Sequence, residues 1–548
     1  MRTIFALLVF VCAAWAQDRP ARVGVGVIER KLTLEEAIAK ALSSNVEIEI
    51  ERTNLATASE SLRAAEGAFD PVFRWQPLLQ SRTTPTPNVL TAADGRLAER
   101  FHSQNFYFLQ KLPWRGTSFH VDFENNRQSN NIPFNALNPF YTSRLLLGFQ
   151  VPLLRNREID RERAQIRVRS KQIRINQSDL ETRVIDVVTR VETAYWNLRA
   201  ARADVEVEEE SVELAREQLA RTRRMIDSGT LAPVEIAAAE AELERRRDTL
   251  FAAIGVVTQA ENALKTLIAG GREEDIWNDA VAPITEPEPE IQLPDVTDWQ
   301  GAVRTALANR PELRSLESRT EQNRVERDLN RNLTKPQVDL VAGYANAGLA
   351  GSLRAAPNPF AESNRLLVER LNALSAINGL PPTPTPDFGG QPPSSLIGNY
   401  GQTLSNLFGG SFQTFQVGVS MDLNIRNRTA EANLAQTVIN ERRLRLQRVQ
   451  VEQIIEAEVR NSLQALQTAQ QRIAAAEASV RAAREKLESE TRLFQSGEST
   501  NFLVLTRQNE YADSRRRLVR AQLDRLKALA LYRQATGQTL EARNIQVK

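Results

Sequence analysis

Chemistry in this chain of 548 residues falls to its nucleophiles, bases and metal ligands, and these are scarce: two histidines, His102 and His120, and one cysteine, Cys12. Zinc and iron–sulfur sites draw on several Cys or His at short, fixed spacings, and no such spacing occurs. Neither histidine lies near a glycine-rich elbow or a partner nucleophile. Both sit in alternating segments, where they read as interfacial or pore-lining polar residues. The sequence therefore predicts no catalytic, cofactor-binding or metal-binding residue, and argues against an enzyme. Lys plus Arg is 70 against 68 for Asp plus Glu, a net charge of +2, so there is no basic excess for nucleic acid. No internal stretch approaches the roughly 20 apolar residues of a membrane-spanning helix, which excludes a transporter built of such helices.

The first residues read as an address. Met1-Arg2-Thr3 is a basic start, Ile4 to Val11 is continuously apolar, and Ala14-Trp15-Ala16 has the small-x-small form of a cleavage site. A secretory leader over residues 1–16, cut after Ala16, is expected. Val11 before Cys12 disfavours lipidation. Cys12 then departs with the leader, as does the charge of Arg2. The remaining chain has no disulfide to form in an oxidising compartment, so its stability must come from packing.

The elements that follow are written twice. Leu34-Glu35-Glu36-Ala37-Ile38-Ala39-Lys40-Ala41-Leu42 aligns with Trp299-Gln300-Gly301-Ala302-Val303-Arg304-Thr305-Ala306-Leu307, and Ser211 to Leu219 aligns with Ser479 to Leu487. In the second register Ser228-Gly229 falls on Ser496-Gly497. The expected organisation is a first repeat over 17–280, a Pro-rich acidic linker over 281–298, a second repeat over 299–537 and a tail over 538–548. Each repeat reads as medium helix, strands, very long helix, tight turn, medium helix. The long helices are expected over about Arg157–Ser228 and Arg428–Ser496, each on the order of 105 Å at 1.5 Å per residue. The medium helices are expected at Leu34–Glu66, Val234–Ala269, Trp299–Asn332 and Phe502–Thr536. Two of them end to end match one long helix in length.

The long helices carry a seven-residue seam: Val184, Val191, Leu198, Val205, Val212, Leu219 and Ile226, then Val459, Leu466, Ile473, Val480, Leu487 and Phe494. A sustained period of seven implies a left-handed superhelix. The companion row Val188, Tyr195, Arg202, Glu209, Arg216, Arg223 turns polar toward the turn, which predicts one side on a partner and another near water.

Between these helices lie segments with period two. Phe73 and Trp75, Phe106 and Phe108, Phe119 to Phe123, Leu145 to Val151, Val338 to Tyr344 and Phe415 to Leu423 alternate apolar with other residues. Such segments match transmembrane β-barrel strands, although a half-buried soluble sheet has the same period. Six strands are too few to close a barrel, and an open edge cannot face lipid. In a membrane, several chains must share one barrel.

This ordered set resembles the TolC-like outer-membrane efflux protein family over nearly the whole mature chain. The resemblance rests on the duplicated plan, on Pro152-Leu153-Leu154-Arg155 before the first long helix, and on the turns Met225 to Leu231 and Leu493 to Ser499. It implies a fold of α plus membrane β: a homotrimer whose strands form one outer-membrane barrel continuous with a long periplasmic α-helical barrel. It implies no cofactor, and as partners outer-membrane lipid, a periplasmic adaptor and an inner-membrane pump, with no nucleic acid. The adaptor would meet the tips, Ser228, Gly229, Thr230 and Leu231 with Ser496, Gly497, Glu498 and Ser499. The family usually gives four strands per chain, against six candidates here. The stretch Asn346–Gly410 is long for a family loop and is expected to be an extracellular or plugging segment with a short helix at Leu366–Ile377.

By the same resemblance, the family's acidic ring positions fall on Leu503 and Thr506, its bridging basic residue on Ser499 and its tyrosine on Phe494, while Glu235 keeps the acidic partner position. A periplasmic gate at Glu235, Phe494, Phe502, Leu503 and Thr506 would close by apolar packing; a register one turn away, or ordinary helix packing beside a turn, also accounts for these residues. The expected role is an outer-membrane exit duct for efflux or type I secretion. The alternative is a periplasmic coiled-coil adaptor or structural protein, which explains the seams but not the strands.

Overall fold

Thr33 starts the helical run with a reciprocal cap: its hydroxyl accepts from the Glu36 amide, and the Glu36 carboxylate accepts from the Thr33 amide. The computed structural model describes residues 22–547, apart from 24, 25, 27, 28, 89, 93, 285–294, 296, 355–358 and 385–391. The expected leader with Ala16, and most of the Pro-rich linker, lie outside the described residues. The first half of the chain holds β1 (Glu29–Leu32), α1 (Leu34–Ser44), α2 (Val46–Glu66), β2 (Val72–Pro85), β3 (Arg96–Lys111), β4 (Ser118–Asn130), β5 (Leu137–Pro152), α3 (Arg161–Asp227), α4 (Val234–Ile268) and β6 (Ala280–Pro283). The second half holds α5 (Trp299–Asn309), α6 (Pro311–Leu333), β7 (Gln337–Leu353), α7 (Pro359–Ile377), α8 (Tyr400–Phe408), β8 (Gln413–Asp422), α9 (Arg428–Gln495), α10 (Asn501–Ala535) and α11 (Thr539–Ala542).

Two helices expected to be single are each broken once. Asn45 is extended, its side-chain oxygen accepts from the amides of Glu47 and Ile48 at 2.9 and 3.3 Å, and its side-chain nitrogen donates to the Leu267 carbonyl at 2.9 Å. Asn45 thus ends α1 and caps α2. In the second repeat Arg310 is extended before Pro311, which occupies the first position of α6. The long helices match expectation in span, but α3 starts at Arg161 rather than near Arg157, because the Asp160 carboxylate accepts from the Arg163 amide at 2.7 Å and fixes the start there.

The chain forms two compact units, Met1–Ser59 with Lys171–Glu321 and Arg442–Lys548, and Glu60–Ser170 with Gln322–Glu441. In the first, Val184, Val188, Val191 and Leu198 of α3 pack with Ile38, Ile48, Leu264 and Ile268. The parallel ladder β1–β6 lies beside them, tied down by the Tyr195 hydroxyl, which donates to the Leu32 and Ile284 carbonyls at 3.0 and 2.7 Å. Lys265 and Glu261 form an ion pair at 2.7 Å with both side chains 0% exposed. The Lys265 ammonium also donates to the carbonyls of Trp277 and Asp279 at 3.1 and 2.7 Å, and Arg22 donates to the other Glu261 oxygen at 2.5 Å.

Leu198 sits at the centre of this core with 0% exposure. Leu198→Ala should destabilise the unit by about 2–5 kcal/mol, read as lost thermal stability of the purified protein. A loss near zero would mean that the seam does not carry the packing.

The second unit contains a six-stranded antiparallel sheet in the order β2-β3-β4-β5-β7-β8. All six expected strands are present. Register places Phe73, Phe108, Val121, Leu147, Tyr344 and Phe415 in one cross-strand row. Aromatic rings stack along this face, Phe73 on Phe106 at 6.1 Å, Phe106 on Phe123 at 6.3 Å and Phe119 on Phe149 at 6.0 Å. The opposite face bears Arg74, Tyr107, His120, Asp122, Arg144 and Asp339. His120 lies across from Gly148, where an added Cβ would stand 2.2 Å from the imidazole. The strand expected to stop near Tyr344 continues to Leu353, pairing with β5 as far as Leu137. The helix expected at Leu366–Ile377 begins earlier, at Pro359.

Candidate functional site

The two long helices end at nearly identical turns. At the first, the Thr230 amide donates to the Met225 carbonyl at 2.9 Å and the Gly229 amide to Ile226 at 2.8 Å; at the second, Glu498 donates to Leu493 at 2.9 Å and Gly497 to Phe494 at 3.2 Å. This pair of bonds satisfies the last helical carbonyls and requires a left-handed residue after the helix. Gly229 and Gly497 supply it, with φ of 77° and 81°. No atom lies within 4 Å of a Cβ built at either glycine, so both tips face open space. Ser228, Gly229, Thr230, Ser496, Gly497 and Glu498 are exposed, whereas Leu231 and Ser499 are half-buried. The Ser499 hydroxyl donates to Glu490, which also pairs with Arg507 at 3.8 Å.

The candidate gate residues separate into two environments. Phe494 is enclosed at 2% exposure, within the second hairpin, while Phe502 is 73% and Leu503 37% exposed. The Thr506 hydroxyl donates to the Phe502 carbonyl at 2.8 Å. Glu235 accepts from the Asn501 side chain at 3.5 Å, and Asn501, itself buried, accepts from Gln218 at 2.6 Å. Glu235 therefore joins the first hairpin to the second, through a partner that the residue types around it did not announce.

Above the tips a ladder of polar contacts links α3 to α10. Arg520 donates to Asp204 at 2.8 Å, Arg516 to Glu208, Arg515 to Glu210, and Lys527 to the Asn197 side chain at 3.2 Å. Burial pushes the Glu208 carboxyl up from its usual range, and the Arg516 and Arg246 guanidiniums oppose that shift. None of these α3 residues belongs to the companion row that the sequence singles out. The signal was the run Arg515-Arg516-Arg517, whose first two members reach acids more than 300 residues away. Nearer the turn the companion row is indeed on the wet side: Arg223 pairs with Glu240 at 2.7 Å with both side chains half in solvent.

Among the described residues no cluster of three or more His, Cys, Asp or Glu is placed to hold a metal ion, and no helix is long and apolar enough to cross a membrane. What the tips offer is shape: two projecting turns backed by enclosed hairpins.

A protein-family model described as outer membrane efflux protein matches residues 143–270 and 394–538. No curated protein sequence matches the chain. Among solved structures the chain is similar to the outer-membrane channel OprN, with 15% identity and a TM-score of 0.61 over 92% of this chain and 90% of that one. It is similar to the CmeC outer membrane channel of Campylobacter jejuni, with 14% identity and a TM-score of 0.61 over 92% and 86%. It is also similar to the outer membrane protein VceC of Vibrio cholerae, with 16% identity and a TM-score of 0.58 over 92% and 96%. At these identities the likeness to solved structures is one of fold.

Proposed function

Because the chain belongs to the outer membrane efflux protein family, we propose that it is the exit duct of a tripartite efflux or type I secretion system. It resides in the bacterial outer membrane with a large helical portion in the periplasm. In this reading it conducts substrate passively, taking it from a periplasmic adaptor and an inner-membrane pump to the exterior. The tips Ser228–Leu231 and Ser496–Ser499 dock the adaptor, and the entrance narrows where Phe502 and Leu503, with Glu235, Phe494 and Thr506 behind them, approach their counterparts in other copies.

The observation that carries this reading is the open sheet. Nearly every residue of β2 and every residue of β8 is exposed, although both strands bear large apolar side chains, Phe73, Trp75 and Leu79 on one and Phe415, Val417, Val419 and Met421 on the other. Unpaired edges of this kind cannot face lipid. Joining β8 of one copy to β2 of the next removes every edge, and three copies of six strands make a ring of eighteen. Six is even, so the joint is antiparallel like the rest of the sheet. Exposed Val438, Ile439, Leu446 and Val449 along α9 give the helices an apolar side for a neighbouring copy as well.

The protein should need detergent for extraction, since an adaptor leaves with salt, and its mass in detergent should be that of three chains. A monodisperse, detergent-free monomer would sink the reading. The joint has a finer signature. With outward residues odd-numbered on both edge strands, Val417→Cys should form a disulfide across copies with one of Phe73→Cys, Trp75→Cys or Leu79→Cys, and not with Arg74→Cys or Gln76→Cys, because a one-residue slip reverses the faces.

A further inference from the structure

The apolar face of the sheet is short for a membrane. From Leu145 to Val151 it spans about 15 Å of bilayer thickness, at about 3.4 Å per residue and a tilt near 40°. The apolar band of outer-membrane barrels is about 25 Å tall. Beyond Leu145, on the same face, the row turns polar: Asn125 and Ser143 are paired across β4 and β5, with Asn346 and Gly348 beside them on β7.

That polar row is covered by α8. Ser143 is 2% exposed and Asn125 is buried. The Ser143 hydroxyl donates to Asn125 at 2.7 Å, and the Tyr400 hydroxyl donates to the same oxygen at 2.8 Å. Asn346 donates to the Leu407 carbonyl, and Asn406 to the Leu349 carbonyl at 2.8 Å. Gly348 permits the approach, since a Cβ there would stand 2.1 Å from the Thr403 carbonyl oxygen. Thr403 and Leu407 are fully buried beneath the helix, while Gly401, Ser405 and Phe408 point away from the sheet. Phe412 beyond the helix is exposed too. In a chain that is 25% charged, Phe388 to Met421 contains no Asp, Glu, Lys, Arg or His.

We propose that α8 lies outside the barrel wall, immersed in the outer leaflet, where it shields the Asn125–Ser143–Asn346 network from acyl chains and presents Ser405 and Phe408 to lipid. The proposal rests on the barrel reading above. A helix is admissible at that depth because its backbone bonds are internal, and the strand face alone leaves the upper part of the band unfilled. The charge-free run is continuous with the lipid-facing row of β8, so helix and strand share one apolar surface. The Asn346–Gly410 stretch, or at least its α8 part, is then a wall element and not a plug.

The test is collision accessibility of nitroxide labels on the full-length trimer in phosphatidylcholine vesicles, with Cys12→Ser as background. Labels go on Ser405→Cys and Phe408→Cys, with Val417→Cys as the lipid-face control and Gln416→Cys as the lumen control. Oxygen should dominate over a water-soluble nickel chelate at residues 405, 408 and 417, with the preference inverted at 416. Nickel-dominated labels at 405 and 408 beside an oxygen-dominated 417 would put α8 in water and overturn the proposal alone. Labels at 405 and 408 closed to both reagents would mean that protein covers the helix, which also overturns it. A nickel-dominated 417 would remove the barrel reading itself.

Discussion

Lys265→Met should destabilise the core around β1 and β6 by about 3–5 kcal/mol, because it leaves Glu261 charged and enclosed with one of its two cations removed. Both side chains are 0% exposed. The substitution keeps most of the aliphatic volume, so a cavity accounts for little of the effect. The ammonium also serves the carbonyls of Trp277 and Asp279, which lose donors that water cannot replace. Arg22 still reaches Glu261, but from the opposite oxygen. Hydrogen exchange at the amides of β1, β6 and the end of α4 reads the opening free energy locally. Adding Glu261→Gln to Lys265→Met should recover a large part of the lost protection, since the enclosed side chain that lost a cation is then neutral. Protection unchanged by the single substitution would show that the pair contributes nothing to the folded core.

The second large effect is functional. Gly497→Asp should abolish export while leaving the amount of outer-membrane trimer unchanged. The left-handed backbone at φ 81° penalises a side chain by about 1–2 kcal/mol, an amount that a hairpin enclosed by Phe494 and its seam can absorb. Nothing near the built Cβ obstructs the carboxylate, so the change reaches a docked partner and little else. Gly497→Ala carries the same backbone penalty without the charge and should retain most export. The measurement is efflux and adaptor cross-linking, each normalised to trimer level. If Gly497→Asp lowers trimer as much as efflux, the turn is a fold element; if it changes neither, the adaptor docks elsewhere.

Much of the fold was legible because its signals are local and repeated. The seven-residue seam from Val184 to Ile226 and the alternation in six segments are periodicities that tertiary packing has no reason to override, and both halves of the duplication report them. The tips were legible from a single residue type, glycine, since the turn needs positive φ. The interruptions at Asn45 and Arg310 were harder. Asn45 breaks a helix by a side-chain cap that looks like any polar residue on a helix face, whereas Pro311 was a visible signal read through. The strand β1, Glu-Arg-Lys-Leu, has no strand-like composition, and it exists because β6 offers it a parallel partner. The α3–α10 ladder and the seat of α8 depend on residues brought together from distant parts of the chain, and no spacing within either segment encodes them.

The joints at Asn45 and Arg310–Pro311 have a further consequence for how this chain tolerates change in length. An unbroken helix couples azimuth to position: one inserted residue turns everything beyond it by about 100°. In α3, which runs without interruption from Arg161 to Asp227, such an insertion would swing Leu198 and every later seam residue off the core. Between α1 and α2, or between α5 and α6, the extended residue resets the phase, so an added residue shifts only the joint. The short helices can therefore drift in length at their joints, while the long ones must change, if at all, by whole heptads.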